Sequence, residues 1–149
     1  MKTVMRCLLV TVLLLFGSRT MTAQTISFTN GSGGTFTIAS AVAGQNPTAV
    51  SNGAGSFNTS TKKGDGVLRI RAQLDQAMPA NTTLTLTLTY PAGTVQAAQV
   101  LGITPVDLVV NIPAASTTRT GTVSYSFAAA ASAGVLAPFT RNVTLTIVP

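Results

Sequence analysis

Thr82 to Tyr90 reads TTLTLTLTY, with Leu84, Leu86 and Leu88 alternating strictly with threonines. Successive side chains of a β-strand point to opposite faces, so this spacing collects leucines on one side and hydroxyls on the other. A helix would spread the same leucines around its circumference. The stretch predicts a half-buried strand, one face on a core and one in water.

Other segments share the alternation. Val67 to Leu74 places Leu68, Ile70, Ala72 and Leu74 inward and Arg69, Arg71 and Gln73 outward. Because Met78-Pro79-Ala80-Asn81 is a short link to the leucine strand, the two are expected to be antiparallel neighbours. Thr122 to Ala128 groups Val123, Tyr125 and Phe127, and a last strand groups Val143, Leu145 and Ile147. Gln24 to Asn30 and Thr35 to Ser40 alternate around Ile26 and Phe28 and around Phe36 and Ile38. The intervening Gly31-Ser32-Gly33-Gly34 predicts a hairpin between them, with a single strand bending across the domain edge as the alternative. Ser56 to Thr61 reads as a polar edge strand, and Gln96 to Ile103 as a short strand. Val106 to Ile112, bracketed by Pro105 and Pro113, reads as an edge strand with Val106, Leu108, Val110 and Ile112 on one face. Ala129 to Gly134 reads as a loop. This makes about eight strands at intervals of roughly 8–12 residues, the pattern of a sandwich or barrel. With no crossover helices to join parallel strands, the sheets are expected to be antiparallel.

Lys2 and Arg6 precede the apolar run Leu8 to Phe16, which is followed by polar residues. This is the layout of a secretory signal peptide, expected at residues 1–23, leaving residues 24–149 as one β-sandwich domain. The run is about half of the ~20 residues that span a bilayer, so no integral membrane span is expected after cleavage. Residues 24–149 then carry Lys62, Lys63, Arg69, Arg71, Arg119 and Arg141 against Asp65, Asp75 and Asp107, a net charge of +3. They contain no cysteine, so stability must come from core burial.

Residues 24–149 also lack His, Glu and Trp. This removes Ser-His-Asp and Cys-His catalysis and the usual zinc ligand sets, and no metal or cofactor is expected. Asp65 and Asp75 are the only pair of carboxyls available for glycosidase chemistry, and both sit where turns favour aspartate. Lys62 or Lys63 with Asn142 could form an amide crosslink only beside a buried acid. Tyr90 and Tyr125 could form a sugar platform, although both positions also suit strands. Lys62, Lys63, Arg69 and Arg71 form a candidate surface basic patch. With few aromatics outside core register, it is read as protection against edge pairing rather than a nucleic-acid site.

Arg69 to Pro91, RIRAQLDQAMPANTTLTLTLTYP, resembles a recurring stretch of small secreted bacterial proteins of uncharacterised role. There an alternating strand ending in Leu-Asp leads through Met-Pro-Ala-Asn/Gly-Thr-Thr-Leu to a second one. The matching positions are Leu74, Asp75, Met78, Pro79, Ala80, Asn81, Thr82, Thr83 and Leu84. TVSYSFAAAASAGV and the following RNVTLTI, Arg141 to Ile147, are similar to the C-terminal half of those proteins. The resemblance implies an immunoglobulin-like antiparallel sandwich of seven or eight strands, exported to the periplasm or cell surface, in the style of fimbrial or spore-coat subunits. It implies no catalytic residues, and the disulfide of pilus subunits is missing. The expected function is that of a non-enzymatic structural or adhesive envelope protein, such as a fibre subunit. Assembly with itself or another envelope protein would proceed by strand addition, with Ile26, Phe28, Phe36 and Ile38 completing a neighbour's sheet. The alternative is a secreted or periplasmic module that binds a glycan or other surface polymer through its loops.

Overall fold

The computed structural model describes residues 24–30, 34–39, 42 and 44–149. The expected signal peptide and the turn at residues 31–33 lie outside the described residues. Nine strands are described: β1 (Thr25–Asn30), β2 (Val50–Thr61), β3 (Leu68–Leu74), β4 (Thr82–Thr89), β5 (Thr94–Val95), β6 (Gln99–Val100), β7 (Val106–Ile112), β8 (Thr117–Ala129) and β9 (Val143–Val148). They form two sheets, ordered β1-β2-β8-β4-β6 and β5-β7-β3-β9, and every pairing is antiparallel. From β2 to β9 successive strands alternate between the sheets, so each connection crosses the layer between them.

The leucine strand is β4. Leu84, Leu86 and Leu88 are buried and Thr83, Thr87 and Thr89 exposed, as the alternation predicts. In the other sheet β3 buries Leu68, Ile70, Ala72 and Leu74. The two strands are therefore not neighbours: they belong to different sheets, and both apolar faces enter the one core between them. Residues 75–81 are long enough to bridge the ~10 Å between packed sheets, and a short connection serves an arch as well as a hairpin. At the end of that arch Asn81 takes φ +58°, a left-handed conformation that asparagine and glycine tolerate best. Thr82 then closes the turn, its N–H and hydroxyl both donating to the Pro79 carbonyl at 3.1 and 2.7 Å.

Three further expectations are corrected. Ser56 to Thr61 is the end of the twelve-residue β2, an inner strand between β1 and β8. It looked like an edge because threonine reads as polar. Thr59 and Thr61 are nevertheless buried, with their hydroxyls bonded to Tyr90 Oη (2.6 Å) and to the Ala115 carbonyl (2.7 Å). Gln96 to Ile103 is not a strand of its own. It holds only the two-residue β6, while the equally short β5 precedes it in the other sheet. β7 lies inside its sheet, between β5 and β3, and its register with β3 shifts twice. The shifts bring Leu108 and Val109, adjacent in sequence, both into the core, and Asn111 takes φ +57°. Strict alternation cannot anticipate such bulges. The stretch from Ala129 to Gly134 is a broad turn around one short 3-10 segment, Ala131–Ala133.

Candidate functional site

The N-terminal segment does two jobs. β1 pairs with β2 from Thr25↔Ser60 to Asn30↔Ser56. Gly34 then packs against the side chain of Asn52, farther along the same strand. The expected strand at Thr35 to Ser40 is corrected: residues 34–39 are extended chain without ladder pairing, and among the described residues only β1 pairs with β2, so no hairpin joins the two stretches. Their alternation identified which side chains point inward. It could not identify the partner, because pairing is made by backbone groups common to all residues. Ile26, Phe28, Phe36 and Ile38 are all half-buried against the core. Phe28 meets the ring of Phe57 edge-on at 6.5 Å, and Phe36 meets Phe127 at 6.1 Å. From the Phe57 level of β2 to Val50, the partner of Phe127, is seven residues, about 23 Å. The segment therefore spans most of the sandwich.

Its second half walls an open cleft of about 1270 Å³ at one end of the sandwich. Phe36 and Ile38 face the loop at residues 134–141, with Met78, Leu84 and Phe127 between them. Phe139 stacks edge-on against Phe127 at 6.1 Å, and the Arg141 guanidinium lies 5.1 Å over the Phe139 ring. Among the cleft's lining residues Arg141 is the only charged one. Periodicity missed Met78, Val135, Phe139 and Arg141. The available signal was the run Gly134 to Phe139, GVLAPF, whose apolar residues have no strand to bury them.

The arch and the last strand are locked together beside this cleft. Asp75 accepts hydrogen bonds from the Asn142 backbone N–H (3.0 Å) and Nδ2 (2.9 Å), and its own N–H donates to the Asn142 carbonyl at 3.0 Å. Arg141 Nε donates to the Ala77 carbonyl at 2.8 Å. The arch at residues 75–81 and the stretch Arg141–Asn142 therefore interlock, which gives Asp75, Arg141 and Asn142 a structural role. These contacts also dispose of two chemical readings. Asp65 binds the Lys62 N–H at 2.6 Å, at the far end of β3 from Asp75, so the two carboxyls are roughly 20 Å apart and cannot flank one bond. Lys62 and Lys63 are likewise at the opposite end from Asn142, so no crosslink between them can form.

The hydrogen bond from the Asn142 N–H, helped by Asn142 Nδ2, the Gln76 N–H and the Arg141 charge, holds the Asp75 carboxyl below its ordinary value of 3.8. A depressed native pKa stabilises the fold above the unfolded value, and the contribution is lost as pH falls through the native one. The urea midpoint of the wild type is expected to drop between about pH 6 and about pH 3 by more than that of Asp75→Asn. Equal drops in both proteins would show that Asp75 does not contribute to acid sensitivity.

The basic patch is partly neutralised. Arg71 Nε lies 2.8 Å and Arg69 Nη1 3.6 Å from the Asp107 carboxylate on β7, while Lys62 and Lys63 are exposed in the β2–β3 turn. The tyrosines are not a platform, because both are buried: Tyr90 bonds Thr59, and Tyr125 packs in the core. Among the described residues no helix is long and apolar enough to cross a membrane, and no three His, Cys, Asp or Glu residues are grouped to hold a metal. Comparison with protein-family models, with curated proteins and with solved structures finds no match for this chain.

Proposed function

We propose that the chain is an exported, non-enzymatic structural or adhesive protein of the cell envelope that assembles by β-strand addition through its N-terminal segment. The observation that carries this reading is the position of β1. Among the described strands it alone pairs with the outer edge of β2, it is separated from β2 by residues 31–49, and its apolar side chains are only half-buried. A segment held along one edge by a long tether can complete the same edge of a second copy with the same bonds.

The neighbouring edge supports the proposal. β1 and β9 are outer strands of the two sheets and touch one another, so they share a flank of the sandwich. Neither contains a charged residue or a proline. Natural sheets usually guard long edges with such residues, and the opposite flank is blunted by the two-residue β5 and β6. A nucleic-acid partner is not part of the reading, since Arg69 and Arg71 engage Asp107 and the buried aromatics offer no stacking surface. For the finer fold class, the expected immunoglobulin-like sandwich is supported by the two antiparallel layers alone. An immunoglobulin domain keeps several consecutive strands in one sheet. Strand-by-strand alternation resembles more the interleaved Greek keys of a jelly roll, and we propose that class.

The test is light-scattering mass of residues 24–149 over a concentration series, repeated with residues 24–40 deleted. Oligomers from the intact chain and a folded monomer from the truncation are the expected pair of results. A persistent monomer whose truncation unfolds would overturn the proposal and make β1 an ordinary strand of its own domain.

A further inference from the structure

We propose that the cleft at the end of the sandwich binds a long-chain amphiphile with an anionic head group. This does not depend on strand addition. The walls are largely aromatic and aliphatic, with Phe36 and Met78 half-buried and Phe127 buried among them. Large apolar side chains that the fold leaves in water gather at its mouth: Val42 is 67 % and Val135 fully exposed, and Phe139 is 38 % exposed. Contiguous exposed apolar surface of this kind marks an interaction site. Ligand clefts of about 300–1,000 Å³ take drug-sized molecules, so this somewhat larger, open one suits a flexible chain. A glycan fits poorly, since the lining offers few side chains able to bond many hydroxyls.

Arg141 defines the head group. It is the single charge in the lining, and it is held in place by Phe139 below and by bonds from Nε to the Ala77 carbonyl and from Nη1 to the Thr140 carbonyl (2.7 Å). Its Nη2 bonds to none of the described residues, leaving a fixed, charged donor at the mouth of an apolar cleft. Asp75 feels the charge of Arg141, but both its oxygens are occupied by Asn142. A carboxylate or phosphate head on an alkyl chain satisfies both halves of this surface.

The experiment is calorimetric titration of the exported protein with dodecanoate, 1-dodecanol and dodecyltrimethylammonium at submicellar concentration. Saturable one-to-one binding is expected, tightest for dodecanoate. Arg141→Gln is expected to weaken dodecanoate about tenfold, the effect of one charge-assisted contact, and to leave dodecanol unchanged. Since Arg141 also braces Ala77, Val135→Asn serves as the second variant. That side chain is fully exposed, so the change does not disturb folding, and it is expected to weaken all three ligands. The proposal fails if no ligand saturates, if the cationic ligand binds as tightly as dodecanoate, or if Val135→Asn changes nothing. Saturable binding by an intact chain that stays monomeric, or loss of binding while concentration-dependent oligomers persist, separates this inference from the assembly reading.

Discussion

Gly121→Ala is expected to destabilise the fold by about 3 kcal/mol, the upper range for an overpacked core. Gly121 sits directly opposite Phe57 in the β2–β8 ladder. A Cβ placed there would strike the Phe57 ring, 2.7 Å from Cε1 with Cζ nearer still, and would lie 2.8 Å from the Thr89 carbonyl oxygen. The backbone at Gly121 is not left-handed, so the glycine is required for space rather than for conformation. Phe57 cannot move aside. It is fully buried, stacked on Tyr90 at 6.0 Å with planes 7° apart, and braced edge-on by Phe28. Urea unfolding of Gly121→Ala, Phe57→Leu and the double variant gives the decisive comparison. If the ring and the glycine share one space, the shorter leucine relieves the clash. The double variant is then more stable than the two single losses predict, by about 1 kcal/mol or more. Strict additivity would show that the added methyl is accommodated elsewhere.

This arrangement also shows where sequence reading stops. Alternation assigned the faces of β3, β4, β8 and β9 correctly, because burial of every second side chain is written in residue type. It did not reveal that Gly121, which reads as a strand weakener, is the floor beneath an aromatic ring. It also placed β3 beside β4 when they lie in different sheets. Sheet order depends on backbone edges that carry no residue signature, and on connections whose length permits either path. The N-terminal segment was legible in the same partial way: Ile26, Phe28, Phe36 and Ile38 all pack against the core, but only the first two belong to a strand, and its partner is β2.

The cleft was the least legible feature. Its walls come from residues 34–39, from Met78 in the arch and from residues 134–141, which only the three-dimensional path brings together. Arg141 read as one of six cations, and only its place over Phe139 at an apolar mouth distinguishes it from Arg69 and Arg71, which share Asp107. The basic stretch that stood out in the sequence is thus the one with an acid beside it.

The two tyrosines should respond with opposite signs to loss of the same atom. Tyr90 Oη shares a 2.6 Å hydrogen bond with Thr59 Oγ1, and both residues are buried. In Tyr90→Phe the threonine hydroxyl keeps only a 3.4 Å contact with the Arg119 carbonyl, so a loss of about 1–2 kcal/mol is expected. Tyr125 is equally buried, but its hydroxyl has no partner among the described residues. Tyr125→Phe removes an unsatisfied polar atom and leaves the ring, so it is expected to be neutral or to gain up to about 1 kcal/mol. A second measurement follows from the same burial, which raises the Tyr125 phenol above its ordinary value of 10.0. The native state then holds that proton more tightly than the unfolded chain. The stabilisation is complete below about pH 10 and is lost as pH rises toward and through the native value. The alkaline fall of the urea midpoint should therefore be shallower in Tyr125→Phe than in the wild type. If Tyr125→Phe instead cost as much as Tyr90→Phe, its hydroxyl must be bonded in solution, and the core beneath β4 and β8 would be more polar than its leucines and aromatic rings imply.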